Sequence, residues 1–265
     1  MKSSKKIFSY LIIIILFMIL PFIEWKTEFN MTFETFKNVI NNADFVQQWH
    51  YLTYANSKVF ILLYPIIITY FGIKDFFKIY HSGMLYSISE RTDYNSYIKN
   101  TFIKIYANNS WVYSTFILLM LIVCAILFKF NESKLFLVGI GNIHYLVFVL
   151  ISIILSIAFS IFILNIGLIA TRYCKKFSIA MIVSYLLFIS FAIISEIMIG
   201  SIVNNIINNI INIDGIYNSF SIFNMVILDG NIYGIIIYSI ILLTLSTYIV
   251  FKLYKNKDKV LIEYE

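Results

Sequence analysis

The sequence predicts an all-α integral membrane protein with six transmembrane helices, and three observations predict it. Of its 265 residues, 60% are hydrophobic and 13% charged, against roughly 45–50% and 25% in soluble domains. The mean hydropathy of +0.85 leaves more apolar surface than a soluble fold of this size can hide. The apolar residues also fall in long uninterrupted runs, and about 20 such residues cross a bilayer as a helix. The chain reads as a single transmembrane domain over 1–265.

The first span, 7–23, follows Lys2, Lys5 and Lys6. A positive end before an apolar stretch resembles a secretory leader. No small-residue cleavage site follows, however, and Pro21, Phe22, Ile23, Glu24 and Trp25 stand there instead, so a retained helix is expected. Residues 24–58 form a polar outer segment carrying Trp25, Trp49 and His50, long enough for a short surface helix. The second span, 59–73, is short and contains Pro65, a residue that kinks helices. An amphipathic inner segment, 74–109, leads to the third span, 111–128, and a tight loop, 129–142. The fourth span, 143–170, holds no charge over 28 residues, so it must tilt or project beyond the hydrocarbon core. A basic turn, 171–176, precedes the fifth span, 177–202; the sixth is 232–251 and a charged tail, 252–265, ends the chain.

Segment 203–231 is different in kind. Asn204-Asn205, Ile206-Ile207, Asn208-Asn209 and Ile210-Ile211 alternate, which at helical spacing makes one apolar stripe and one amide face. Such a helix is too polar and short to span, and suits an interfacial or re-entrant position on the outer side.

Orientation follows from the basic residues. With the N-terminus inside, the inner segments hold fifteen Lys and Arg and the outer segments five. Segment 203–231 has none. Both termini are therefore expected in the cytoplasm. This scatter of positive charge between spans also argues against a nucleic-acid partner. The two cysteines, Cys124 in a span and Cys174 in an inner turn, lie in different compartments and form no disulfide framework.

Catalytic patterns are missing. There is no GxxxxGK[ST], HExxH, CxxC or GxSxG in the chain, so a phosphate-cradling loop, a zinc site and a serine nucleophile are not expected. The histidines, His50, His81 and His144, are dispersed. No catalytic residue, cofactor or metal site is expected in this chain. One carboxylate, Glu196, stands inside a span, and charged groups there are functional candidates; it is the candidate translocation-path residue. The competing reading places it at the outer end of a long helix, protonated or bonded to Ser195 or a neighbouring helix. Gly230 and Gly234 have the GxxxG spacing, but at a helix start, where helix entry is the better account. Trp111, Tyr113, Tyr233, Tyr248 and Tyr254 stand near span ends, as an interfacial aromatic belt requires.

Segment 74–109 is the most informative. It carries both signs of charge and breaks at Gly83 and around Thr92-Asp93. Asp93 is placed to cap a helix starting at Tyr94. The expectation is a short helix, a turn, then a helix leading into the third span. Gly83, the run Met84 to Ile88, Arg91, the stretch Tyr94 to Ile98 and Lys99 follow in order. A second motif, Phe220 to Gly230, precedes the last span and a basic tail. These two motifs and the six-span plan resemble permeases of the ABC-2 type, the membrane halves of ATP-binding-cassette exporters.

The resemblance implies a bacterial plasma-membrane protein working with two cytoplasmic ATP-binding subunits, which carry the ATP and Mg, and with a second permease chain, identical or paralogous. It implies that Gly83, Glu90, Arg91, Asp93 and Lys99 belong to the inner helix that docks the ATPase, and that 202–230 is re-entrant. It further implies export of a hydrophobic or amphipathic substrate such as an antimicrobial or signalling peptide. The alternative is a stand-alone membrane immunity or binding protein that captures a toxin with 24–58 and 202–213. A membrane enzyme and a passive channel fit less well, for want of a catalytic constellation or a polar span face. The topology makes a direct prediction: with Cys124 and Cys174 replaced by alanine, a cysteine at Gly215 reacts with an impermeant maleimide in intact cells, and one at Ser87 reacts only after permeabilisation.

Overall fold

In lipid an unpaired backbone N–H or C=O costs several kcal/mol, and a helix pairs them within its own segment. The Ile- and Val-rich runs are therefore helical here although β-branched residues are indifferent helix formers in water. The computed structural model describes residues 2–28, 35, 38, 44–55, 58–129, 135–137, 141–195, 221–227 and 231–256. Six helices within it are long and apolar enough to cross a membrane, which makes the chain a multi-pass membrane protein.

In chain order the elements are α1 (Lys2–Glu28), α2 (Phe45–His50) running into a π-helical turn (Tyr51–Ala55), and α3 (Lys58–His81). Then come α4 (Met84–Arg91), α5 (Tyr94–Asn109), α6 (Trp111–Leu127), β1 (Leu135–Leu137) and β2 (Gly141–Ile143). The chain continues through α7 (Tyr145–Tyr173), α8 (Phe177–Ile194), α9 (Asn224–Ile227) and α10 (Ile232–Lys255). Polar side chains set several starts. The His144 ring accepts from Leu146 N–H at 3.3 Å. Asn231 Oδ1 accepts from Tyr233 N–H at 3.0 Å and Gly234 N–H at 3.4 Å, so Gly234 marks helix entry, as its position suggested.

Four expectations change. First, the second and third crossings are longer than their hydropathy runs. α3 continues past residue 73 to His81, and Ser110 is itself helical, its N–H reaching Tyr106 O at 2.9 Å, so α5 and α6 form one nearly continuous path. The cause is an apolar seam: Tyr94, Ile98, Phe102, Ile105 and Asn109 are buried on one face of α5, and Phe102 meets Phe76 of α3 at 5.4 Å. Second, α2 does not lie on the surface. Phe45, Val46 and Trp49 are buried, and the Trp49 indole N–H donates to Ile117 O at 3.1 Å while its ring meets Phe148 edge-on at 5.8 Å. Third, a short antiparallel ladder lies between the third and fourth spans, Leu135 opposite Ile143 and Leu137 opposite Gly141, a small exception to an all-α chain that moves the start of the fourth helix from 143 to Tyr145. Fourth, Tyr113 and Tyr254, expected in the aromatic belt, are fully buried in the core, whereas Tyr233 and Tyr248 are exposed.

The fifth span is described only to Ser195, and of segment 203–231 only 221–227 and 231 are described. Glu196 and the alternating Asn-Ile run lie outside the described residues. Within 221–227, Ile222, Met225 and Val226 are buried, and Ile222 N–H donates to Ser195 Oγ at 3.4 Å.

The centre of the bundle is α7, which packs against α3, α6, α8 and α10. It meets α3 at two glycines, one from each helix. A methyl group on Gly167 would meet Ile73 Cδ1 and Thr69 Cγ2, and one on Gly72 would meet Leu164 Cδ2 at 2.5 Å. Hydrogen bonds lock the same interfaces. Tyr64 OH pairs with Ser160 Oγ at 2.7 Å. Tyr106 OH donates to Asn165 Oδ1 at 2.5 Å, and Asn165 Nδ2 donates to Ser246 Oγ at 2.9 Å and Thr247 Oγ1 at 3.1 Å. Tyr10 OH donates to Asn109 Oδ1 at 2.8 Å, fastening α1 to α5. Asn165 thus joins α5, α7 and α10 through one side chain. Because the space at Gly167 is closed by the buried Ile73, Gly167→Val lowers stability by about 1–3 kcal/mol through overpacking. Thermal unfolding in detergent measures it, and the same change at the exposed Ala107 serves as the control.

Candidate functional site

The residues singled out between the second and third spans sit on a helical hairpin that leaves the bundle at Gly83. Gly83 has φ +71°, a left-handed angle that glycine adopts without steric cost. Nothing lies within 4 Å of where its Cβ would stand, so the backbone angle and not the space calls for glycine. The chain turns there and begins α4. Leu85 faces inward and is buried, while Met84 and Tyr86 are 54% and 58% exposed. Ser87, Glu90 and Arg91 are exposed as well. The result is a two-turn helix with one apolar foot in the core and an outer face that is both charged and apolar. Thr92 closes it, its N–H and its hydroxyl both donating to Ile88 O at 3.0 Å.

Asp93 then starts α5 as its sequence position suggested. Its carboxylate accepts from Ser96 N–H at 2.9 Å, filling one of the free donors of the first turn. Hydrogen bonds from the Ser96 hydroxyl and N–H hold the Asp93 carboxyl below the usual carboxylate range.

The hairpin is fastened to two distant helix ends. Tyr94, the first residue of α5, donates its hydroxyl proton to Tyr254 O at 2.9 Å. Tyr254, near the end of α10, donates its own to Leu168 O of α7 at 2.9 Å. The Tyr254 ring lies at the middle of an aromatic cluster, 5.2 Å from Phe102, 5.6 Å from Phe76 and 5.6 Å from Tyr80, each near edge-on. Alongside, Arg172 of α7 donates to Tyr80 OH, and a His81 ring nitrogen lies 3.2 Å from Thr171 O. The last turn of α3, the first of α5 and the last turns of α7 and α10 therefore form one cross-linked end of the bundle.

Glu90, Arg91 and Asp93 share the tip of this hairpin and Gly83 stands at its base, and all four are exposed. Lys99, farther along α5, is exposed too and lines a groove between α5 and α10. Glu196 lies outside the described residues. Tyr80, Tyr94, Arg172 and Tyr254, which do the fastening, were not anticipated. The spacing of Tyr94, Ile98, Phe102, Ile105 and Asn109 carried the signal for the seam, though not for the partners across it.

Elsewhere an apolar groove of about 310 Å³ opens between α7, α8 and α10, lined by Phe162, Ile166, Leu187, Phe191, Leu242 and Leu245 among others. Among the described residues no three His, Cys, Asp or Glu side chains converge as metal ligands would, and Cys124 and Cys174 are buried thiols. What the arrangement offers is an exposed face, both charged and apolar, connected to the bundle through Leu85 and the Tyr94–Tyr254 bond. No protein family, curated protein or solved structure matches the chain.

The cap at Asp93 has a pH consequence. Because its folded carboxyl is held low, its stabilising effect is complete above the ordinary Asp value of about 3.9 and is lost as pH falls through the lowered folded value. Asp93→Asn keeps a capping oxygen and removes this acid dependence, whereas Asp93→Ala removes the cap at every pH. Thermal midpoints of the three proteins between pH 3 and pH 7 test the ordering.

Proposed function

We propose that the chain is the membrane-spanning permease subunit of an ATP-binding-cassette exporter in a bacterial plasma membrane, with the cross-linked end of the bundle in the cytoplasm. The observation that carries this reading is α4: a short, solvent-facing helix whose Met84, Tyr86, Glu90 and Arg91 are exposed while Leu85 is buried. A two-turn helix gains little stability in water alone, so an apolar and charged outer face on one suits a partner. The basic residues of the termini, the hairpin and the 171–176 turn support the cytoplasmic placement.

In this reading two ATP-binding subunits supply ATP and Mg, and two permease chains, identical or paralogous, form the membrane core. Closure of the ATPases on ATP displaces α4. Because Leu85 is seated in the core and Tyr94 is bonded through Tyr254 to Leu168, α4 cannot move without moving the ends of α7 and α10. Packed elements shift as rigid bodies under such a load. The substrate class is hydrophobic or amphipathic, an antimicrobial or signalling peptide, which the apolar groove between α7, α8 and α10 suits. If Glu196 lines the path, Glu196→Gln alters transport without altering insertion.

The decisive experiment is co-purification of the tagged chain from cells expressing the neighbouring genes. The expected result is a stoichiometric ATPase whose recovery falls about tenfold, the scale of a lost charged contact, when Glu90→Lys and Arg91→Glu are combined. Membrane insertion stays intact, since both side chains are exposed. A preparation free of any ATPase returns the choice to a stand-alone immunity protein.

A further inference from the structure

A groove of about 680 Å³ lies between α5 and α10, within the range of roughly 300–1,000 Å³ typical of small-molecule sites. Of its lining residues, the resemblance to ABC-2 permeases assigns a role to Lys99 and to no other. Ile98, Phe251 and Tyr254 form its apolar base, and Lys99, Lys252 and Lys255 form its rim. All three lysines are exposed. Among the described residues no carboxylate lines it; Asp93, the nearest acid in the chain to this stretch of α5, has its carboxylate turned to Ser96 N–H. Three ammonium groups around one concavity repel each other unless an anion sits among them.

The groove also opens onto an apolar ridge. Ile237, Ile240, Ile241, Leu245 and Tyr248 of α10 are all largely exposed, and they lead along the helix to Lys252, whose Nζ lies 5.8 Å from the Tyr248 ring centre. A cationic rim above a lipid-facing ridge matches an amphiphile with an anionic head and apolar tails.

We infer that this groove binds an anionic phospholipid of the adjoining leaflet, its phosphate held among Lys99, Lys252 and Lys255 and its acyl chains laid along the exposed face of α10. A free phosphate ion would use the rim alone and leave the ridge without a role; the lipid uses both. Basic residues near a membrane surface each strengthen attraction to anionic lipid by about fivefold. The inference does not depend on an ATPase partner.

The test is native mass spectrometry of the full chain in detergent, titrated with phosphatidylglycerol, phosphatidylcholine or inorganic phosphate. Phosphatidylglycerol is expected to bind at least about tenfold more tightly than phosphatidylcholine, and millimolar inorganic phosphate is expected not to displace it. Replacing Lys99, Lys252 and Lys255 together by glutamine weakens binding on the order of 100-fold. Replacing Lys78, Lys104 and Lys175, exposed lysines outside the groove, changes net charge equally and leaves binding intact. Arginine at the three groove positions retains it. If the glutamine triple does not fold, Lys252→Gln alone is expected to weaken binding about fivefold. Equal binding of the two lipids, equal loss in both lysine sets, or displacement by inorganic phosphate would each overturn the assignment, the last identifying a site for the ion alone.

Discussion

Inside a bilayer the hydrophobic effect does not draw helices together, because lipid tails are as apolar as leucine. Everything in this bundle therefore depends on how closely the other helices can approach α7 and on what they find there. Gly72 and Gly167 remove the side-chain bulk that would separate α3 from α7. Ser160 and Asn165 then supply polar partners that lipid does not. The order matters: a hydrogen bond of about 2.7 Å between Tyr64 and Ser160 requires the backbones to be close first. Close packing makes the polar bonds geometrically available, and the polar bonds fix the register of the packing. A helix hydrophobic on all sides, as α7 is, has no preferred face by pattern alone; its buried Ser, Asn and Gly positions give it one.

The same logic explains which features could be read from the sequence. Six crossings were legible because length and apolarity alone determine whether a segment can span. The Asp93 cap was legible because capping is local, needing only a carboxylate before a helix start. The course of α5 was half legible: Lys99 and Lys104 lower its hydropathy enough to place it outside the membrane by composition, while Tyr94, Ile98, Phe102 and Ile105 mark a buried face by spacing. α2 was not legible, since Phe45, Val46 and Trp49 would look the same on a surface helix; only Ile117 and Phe148, far away in the chain, show that they are core. Tyr254 failed for a related reason. A tyrosine at a helix end suits the membrane interface by default, and its burial depends on three helices converging on it.

Convergence at Tyr254 also decides what kind of device this end of the bundle can be. A tyrosine whose hydroxyl donates to α7 and whose carbonyl accepts from α5 is a junction and not a hinge. Its aromatic neighbours Phe76, Tyr80 and Phe102 come from α3 and α5, so bending at this point would break packing on every side. Gly83, by contrast, stands in a left-handed turn with nothing packed against it. α4 thus stands between that turn and the cross-linked junction at the start of α5.

Tyr254 and the lysine-rimmed groove occupy the same stretch of α10, and this shared position links the two sides of the molecule's chemistry. Lys252 and Lys255 flank Tyr254 in sequence, and at 3.6 residues per turn they point away from the junction while Tyr254 points into it. The last turn of α10 is thus held on one face by protein and lines the groove with exposed lysines on the other. An anion seated among Lys99, Lys252 and Lys255 would draw α5 and α10 together across the groove, in the same sense as the Tyr94–Tyr254 hydrogen bond beneath it. Both interactions would then act on the same pair of helices, the protein bond at the groove's base and the anion at its rim.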